Sequence, residues 1–277
     1  MPDLISNRKL WNDWQWSPDG EDWSAGCGNS EALWFFGIYP RIHSFLPTST
    51  ILEIAPGGGR WTKHLKNYCD RLIAVDLSET CIDLCRKRFA EEHHLTFHLN
   101  DGKSLDMIAS DSIDFVFSFD SLVHADADVI QSYLRHIATK LKPNGVGFVH
   151  HSNLWHYPRL LRVLGRLPYK MVHLVTEKSM IGALQWRSWD TSAEVVETYS
   201  QEVGLQCISQ ECVTWGGNIL LDCFSTFVRK ESSMARSNRR VENSSFNWGP
   251  LHDLSMLYTD LGSKSDYGHQ ETEDCLA

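Results

Sequence analysis

The chain has 277 residues, 42% of them hydrophobic and 22% charged, with a formal net charge of −9. That length accommodates one large domain with a sizeable core, and the composition is that of a globular protein rather than a disordered or fibrous one. The acidic balance argues against a general nucleic-acid binder, which would present a basic face. No apolar run approaches the ~18 residues of a membrane-spanning helix.

Eight cysteines are scattered without a C-x-x-C pair. Neither a structural zinc site nor a disulfide framework is expected from them. The opening Met1-Pro2-Asp3-Leu4 lacks the basic and apolar regions of a secretory signal. Reduced thiols and a cytoplasmic location are the expectation.

Residues 1–48 hold Trp11, Trp14, Trp16, Trp23 and Trp34 ahead of any strand signal. Ser17-Pro18-Asp19-Gly20 reads as a turn. Glu31 to Phe45 reads as a helix interrupted at Pro40. The segment is expected to be a helical cap with its tryptophans packed on the core. The alternative is that one or two of the rings line an acceptor pocket.

Ile51-Leu52-Glu53-Ile54 is a short buried strand. Ala55-Pro56-Gly57-Gly58-Gly59 turns it into a helix from Arg60 to Cys69, with Trp61, His64, Leu65 and Tyr68 on one face. Strand, glycine turn and helix bring backbone close to a nucleoside ligand, because glycine tolerates positive φ and has no Cβ. The dinucleotide fingerprint G-x-G-x-x-G fails at Thr62, and the Gly-Lys-Ser/Thr end of a phosphate loop is missing. Leu72 to Asp76 is a second buried strand. Asp76 lies 17 positions after Gly59, near the ~20 expected of a carboxylate that grips ribose hydroxyls; capping of the next helix fits Ser78 better.

Ser78 to Glu92 is a helix, Leu95 to Leu99 a third strand, and Asn100-Asp101-Gly102 its outlet. Ser112 to His124 holds a fourth strand and its exit. Asp126 to Leu141 is a helix, Lys142-Pro143-Asn144-Gly145 a turn, and Val146 to His151 a fifth strand. A lid-like insert, 152–190, carries Arg159, Arg162, Arg166 and Lys170 at helical spacing. That stripe is either a solvated face or a contact for an anionic acceptor or a membrane surface. Thr191 to Val203 is a helix, and Leu205 to Val213 and Ile219 to Val228 are strands whose connection allows an antiparallel hairpin. From residue 231 to 277 the composition turns polar. A mostly disordered, dispensable tail is expected, with docking of its small apolar islands as the alternative.

Acid-x-Ala-x-Gly-x-Gly over Glu53 to Gly59 resembles motif I of the class I S-adenosylmethionine (SAM) dependent methyltransferases, with Ala55 in the first glycine slot. Asp114, Val116, Leu122 and His124 resemble the family's fourth-strand pattern, and Leu141-Lys142-Pro143-x-Gly145 its entry to the fifth strand. The resemblance covers roughly residues 50–229. It implies an α/β domain, here 49–230, built on a Rossmann-like seven-stranded sheet with helices on both faces. It implies SAM as cofactor, held by Glu53, Ala55, Gly57, Gly59, Asp76, Asp101, Gly102 and Phe119, with a plain Asp-Gly turn as the alternative at Asp101.

Ligands of such sheets lie beyond the carboxyl ends of the strands, which selects Asp120, His124, His150, His151 and Asn153. Adjacent strand residues face opposite ways, so only one of His150 and His151 faces the pocket. His151, nearer the strand end, is the expected general base, oriented by Asp120, with His124 as the second candidate. No metal is expected, since the position opposite Asp120 offers His151 or Asn153 where a hard cation prefers oxygen. The expected activity is methyl transfer to oxygen on a small-molecule or glycan-like acceptor. A non-catalytic SAM-binding subunit and, more weakly, an NAD-dependent oxidoreductase are the alternatives.

Overall fold

The computed structural model describes residues 3–17, 19–22, 29–167, 186–247, 249–250, 252–253 and 257. In chain order, α1 is Leu4–Asp13. A composite helix, α2, joins the turn Ser30–Ala32, a π-helical stretch Leu33–Ile38, the turn Tyr39–Ile42 and a 3-10 turn His43–Phe45. Then follow β1 (Thr48–Ile54), α3 (Thr62–Leu65, continued by a 3-10 turn Lys66–Tyr68), β2 (Cys69–Asp76), α4 (Glu79–Arg88), β3 (Leu95–Leu99) and β4 (Ile113–Ser118). The second half comprises α5 (Ala127–Lys140), β5 (Leu141–Ser152), α6 (Pro158–Leu164), α7 (Ala193–Glu202), β6 (Leu205–Val213), β7 (Asp222–Arg229) and β8 (Arg239–Asn243).

The strands form one sheet in the order β3-β2-β1-β4-β5-β7-β6-β8. The first five pair in parallel; β7 pairs antiparallel with β5 and with β6, as the hairpin reading requires. Central strands are apolar on both sides because both faces are covered. Ile51, Phe115, Phe117 and Phe148 join one core with Trp34, Ile38 and Leu65 from α2 and α3. Leu52, Val116 and Val149 join the other, with Ile130 and Leu134 from α5 and Val196 from α7.

Three expectations are corrected. Pro40 does not break its helix. Tyr39 N–H reaches back five residues to the Trp34 carbonyl, and this π-helical widening lets the proline enter at the start of the next turn, where its missing N–H costs little. The helix after the glycine turn stops at Leu65, and its 3-10 continuation at Tyr68, because Cys69 is drawn into register opposite Thr48.

The tail is not wholly disordered, and the sheet has eight strands. Arg239–Asn243 pairs in parallel with Ser209–Val213. Arg240 bonds Glu194 and Glu197 on α7, and Asn243 donates to Glu211 at 2.7 Å. Arg41 grips that carboxylate with two bonds of 2.6 Å and lies 4.5 Å over the ring of Phe246, which meets Trp215 at 4.8 Å. The polar composition of the tail hid a strand bought with cross-strand pairing and ion pairs rather than apolar burial. Trp23, Lys170, Trp248, Leu254 and Tyr258 lie outside the described residues.

Deleting residues 239–277 should therefore lower the melting temperature by several degrees, the shift that ~1–2 kcal/mol produces in a domain of this size. Phe246→Ala alone should cost about 1–2 kcal/mol, given its half-buried ring. Thermal unfolding measures both, and unchanged curves would return the segment to the dispensable class.

Candidate active site

The strand order reverses between β1 and β4, and their outlets meet there. Such a switch point opens a crevice at the carboxyl ends of the strands. Ser121 Oγ donates to the Ala55 carbonyl at 2.9 Å and Ser118 Oγ to that of Ile54 at 3.0 Å, so the two outlets are tied together.

On the β1 side, Ala55, Gly57 and Gly59 all have positive φ, at 58°, 57° and 82°. A Cβ on Gly59 would stand 2.5 Å from the Phe89 ring, so that position admits only glycine. Asp76 is buried and turned inward: its carboxylate accepts from Gly57 N–H at 3.2 Å and Ser78 N–H at 2.9 Å. Burial pushes its pKa up to about 6 despite those bonds. Each carboxylate oxygen has a further lone pair, which leaves capacity for ligand hydroxyls.

Glu53 accepts the Thr62 hydroxyl on Oε2 at 2.6 Å, while its buried Oε1 has no protein partner. Burial raises its pKa to about 8. A glycine turn of positive φ, a carboxylate with spare acceptor capacity and an unpartnered acid together fit a polar nucleoside-amino-acid ligand such as SAM. Asp101 is exposed, and its side chain caps its own loop at Lys103 N and Ser104 N. That is the geometry of a plain Asp-Gly turn.

The N-terminal segment crosses all four outlets. Trp16 lies against Gly57, Asn12 accepts from Ser78 Oγ at 2.8 Å, and Leu4 lies against Gly102. Asn7 Nδ2 donates to the His124 carbonyl at 3.2 Å, and the Trp11 ring stands 5.4 Å from the His124 ring. Trp34, by contrast, is a core residue stacked on His64 at 4.7 Å. The two readings of the tryptophans thus divide between residues.

On the β4 side the outlet is decided by Asp120, a non-glycine residue at φ 62°. Such backbone costs energy and marks positions that the surroundings over-determine. The carboxylate pairs with Arg60 at 2.6 Å and stands 3.2 Å from His150 Nδ1, which also accepts the Asp120 N–H at 3.1 Å. His150 Nε2 lies 3.1 Å from Asp222, whose carboxylate takes two bonds from Arg187, at 2.7 and 2.8 Å, and one from Trp215 Nε1, at 2.6 Å. The result is a continuous chain, Arg60–Asp120–His150–Asp222–Arg187, buried at Arg60, His150 and Asp222 and partly buried at Asp120 and Arg187. The flanking carboxylates raise the His150 pKa above its ordinary value against the pull of burial, and the guanidiniums and the histidine lower those of Asp120 and Asp222.

This corrects the histidine assignment. His151 lies on the opposite face with Val149, bonded to Ser225 Oγ at 2.8 Å, and burial lowers its pKa to about 4. Continued strand register would set Asp120 beside His151. The left-handed turn at Asp120 swings the carboxylate to His150 instead. His124 bonds the Trp186 carbonyl, and burial lowers its pKa to about 4 as well. Asn153 is structural: it donates to Leu220 O at 2.9 Å and accepts Ala193 N–H at the start of α7 at 3.0 Å.

Phe119 is buried among Phe117, Phe224 and His150 rather than lining an open face, with its ring 4.6 Å from that of His150. Arg60, Asp222, Arg187 and Trp215 were not singled out in the sequence. The alternation Phe115, Phe117, Phe119 with Phe148, His150 was the available signal for the face.

Residues 51–145 match the family model described as "Methyltransferase domain". Residues 51–145 therefore carry a methyltransferase domain. Ribosomal RNA small subunit methyltransferase A of Coxiella burnetii is 30% identical over 59 residues, 21% of this chain and 23% of that protein. The match thus spans about a quarter of that relative's length. N-demethylindolmycin N-methyltransferase of Streptomyces griseus is 29% identical over 144 residues, 48% of this chain and 60% of that one. In fold, the domain is similar to geranyl diphosphate C-methyltransferase of Streptomyces coelicolor A3(2), with TM-score 0.55 and 12% identity over 83% of this chain and 98% of that one. No helix among the described residues is long and apolar enough to cross a membrane.

Glu53 supplies a pH test of the turn. Its folded pKa of about 8 exceeds the ordinary 4.5, so the folded state holds a proton that the unfolded chain releases. Stability of the unliganded protein should fall as pH rises from ~4.5 to ~8 and level off above, where both states are ionised. In Glu53→Gln that decline should be smaller, as read from melting temperature against pH. Parallel profiles for the two proteins would place the Glu53 proton elsewhere.

Proposed function

We propose that the protein transfers the methyl group of SAM to a hydroxyl of a small-molecule, sugar- or glycan-like acceptor bound where the outlets of β4 and β5 meet the start of β7. The observation that carries this reading is the Asp120–His150–Asp222 chain next to the glycine turn. SAM supplies an activated methyl on a sulfonium sulfur, so the protein's work is alignment and removal of the acceptor's proton.

In this reading Ala55, Gly57 and Gly59 offer backbone to the cofactor, Asp76 takes the ribose hydroxyls on its spare lone pairs, and Glu53 and Gly102 complete the wall. His150 is fully buried, whereas the Asp120 side chain retains 22% of its exposure. Asp120 therefore meets the acceptor hydroxyl, and the proton passes to His150 Nδ1. In the neutral ring Nδ1 accepts from Asp120 N–H, which leaves the proton on Nε2, 3.1 Å from Asp222 but without hydrogen-bond alignment to it. Gaining a proton at Nδ1 turns a lone pair facing a carboxylate into a donor to it. Asp222, fixed by Arg187 and Trp215, holds the ring for that exchange, as carboxylates do for catalytic histidines.

Arg60 and Arg187 are neutralised by their partners, which favours an uncharged acceptor over an anionic one. The described arginines of the basic stripe, Arg159, Arg162 and Arg166, are exposed and fit a solvated face or a membrane surface. The net charge of −9 argues against RNA as acceptor. A cytoplasmic location fits the free thiols, among them Cys212 and Cys223, direct cross-strand partners.

Asp76→Ala should weaken SAM binding by ~1.5–3 kcal/mol, the worth of hydrogen bonds to a charged group; calorimetry on the folded variant reads it, and unchanged affinity refutes the ribose role. His150→Gln should lower kcat by roughly 10²–10⁴-fold with little change in SAM affinity, and His151→Ala should cost mainly stability. S-adenosylhomocysteine release against sugars, nucleotide sugars and phenols provides the assay. A His150→Gln enzyme retaining more than about a third of its turnover, far outside the general-base range, would leave alignment alone as the mechanism.

A further inference from the structure

Arg60 is the residue after Gly59, so its backbone belongs to the cofactor turn, yet its side chain belongs to the other half of the crevice. It is 6% exposed, its guanidinium stacks 4.4 Å from the Trp61 ring, and it reaches Asp120 at 2.6 Å. Trp61 in turn meets Phe119, the residue before Asp120, at 5.5 Å. A buried guanidinium fixed by a ring on one side and a carboxylate on the other has little freedom to adjust alone. Displacement of the turn that bears it is therefore transmitted to the carboxylate.

We infer that Arg60 is a positioning residue that couples occupancy of the cofactor turn to the aim and proton affinity of the Asp120–His150 pair. This deepens the proposed function and rests on its placement of SAM at Gly57 and Gly59. Five ionisable groups converge here: Arg60 from the β1 turn, Asp120 from the β4 outlet, His150 from β5, Asp222 from β7 and Arg187 from the segment before α7. His124, in the turn after β4, feels Asp120, Asp222 and Arg187 as well.

With neutral His150 the five-membered chain has two guanidiniums balancing two carboxylates. Removing the Arg60 charge leaves Asp120 uncompensated, and the nearest group able to restore balance is His150, by holding a proton more tightly. Cofactor binding acts in the opposite sense. A turn locked by ligand holds Arg60 firmly on Asp120, satisfies that carboxylate and lowers the proton affinity of His150. The base therefore holds its proton less tightly when the methyl donor is in place than when it is absent.

The test is a histidine-selective NMR titration of the full chain, with and without S-adenosylhomocysteine, the His150 signal being assigned by its loss in His150→Gln. In the wild type, S-adenosylhomocysteine should lower the His150 midpoint. Arg60→Gln should raise the midpoint by roughly one unit or more, the scale on which a single neighbouring charge acts, and abolish the response to ligand. Arg60→Lys, which keeps the charge, should restore most of the midpoint. A folded Arg60→Gln protein whose midpoint and ligand response match the wild type overturns the inference.

Should Arg60→Gln fail to fold, Asp120→Asn and its combination with Arg60→Lys decide the matter. The response to S-adenosylhomocysteine should vanish with Asp120→Asn, and Arg60→Lys should add nothing to it; a response that survives overturns the coupling. A wild-type protein that shows no binding of S-adenosylhomocysteine in calorimetry overturns the cofactor assignment itself, and the inference with it. Intact binding with an unresponsive His150 overturns the coupling alone.

Discussion

A chain of buried and partly buried charges, at the carboxyl ends of the parallel strands and the start of β7, is the constraint around which the rest of the site is arranged. Arg60, Asp120, His150, Asp222 and Arg187 come from the β1 turn, the β4 outlet, β5, β7 and the segment before α7. Burying a lone charge is prohibitive, and burying a pair repays its desolvation only when geometry and further hydrogen bonds are good. Alternating signs, ending in a guanidinium at both ends, meet that requirement. Each link also fixes the placement of a different element. The chain therefore clamps the outlets that the sheet only brings into proximity.

The glycine turn answers a different constraint, close approach. Phe89 and Cys85 on α4 pack under Gly59, and Trp16 packs over Gly57, so the turn is sandwiched between the body of the domain and the N-terminal segment. That segment reaches the outlets of β1, β2, β3 and β4 through Trp16, Asn12, Leu4 and Asn7 in turn. It thus forms one wall of the crevice. The aromatic-rich start of the chain serves two purposes: Trp34 builds the core, and Trp11 and Trp16 cover the site.

Much of the fold was legible because its signals are local. Buried strands, a glycine turn, a strand ending in Asp76 and a hairpin follow from apolar runs, turn residues and spacing. The gathering of Glu53, Gly57, Gly59 and Asp76 at one turn was legible for the same reason, since they lie within one β-turn-α-β unit. The strand at Arg239–Asn243 was not legible. It is held by Gln210, Glu194 and Glu197, polar partners distant in sequence, and carries no apolar alternation of its own.

The catalytic half shows where sequence stops. Sequence alone determined that one of His150 and His151 faces the crevice, because strand side chains alternate with a period of two. It could not say which, because the answer depends on a single left-handed residue. Asp120 at positive φ departs from the register that would have set it beside His151, and non-glycine residues give no local signal for that conformation. Arg60, Asp222, Arg187 and Trp215 are likewise ordinary in sequence and acquire their roles only through contacts between residues 7 to 72 positions apart along the chain. Local chemistry chose the elements and the glycine turn; the pairing of charges, which exists only once distant strands meet, chose which histidine stands beside Asp120.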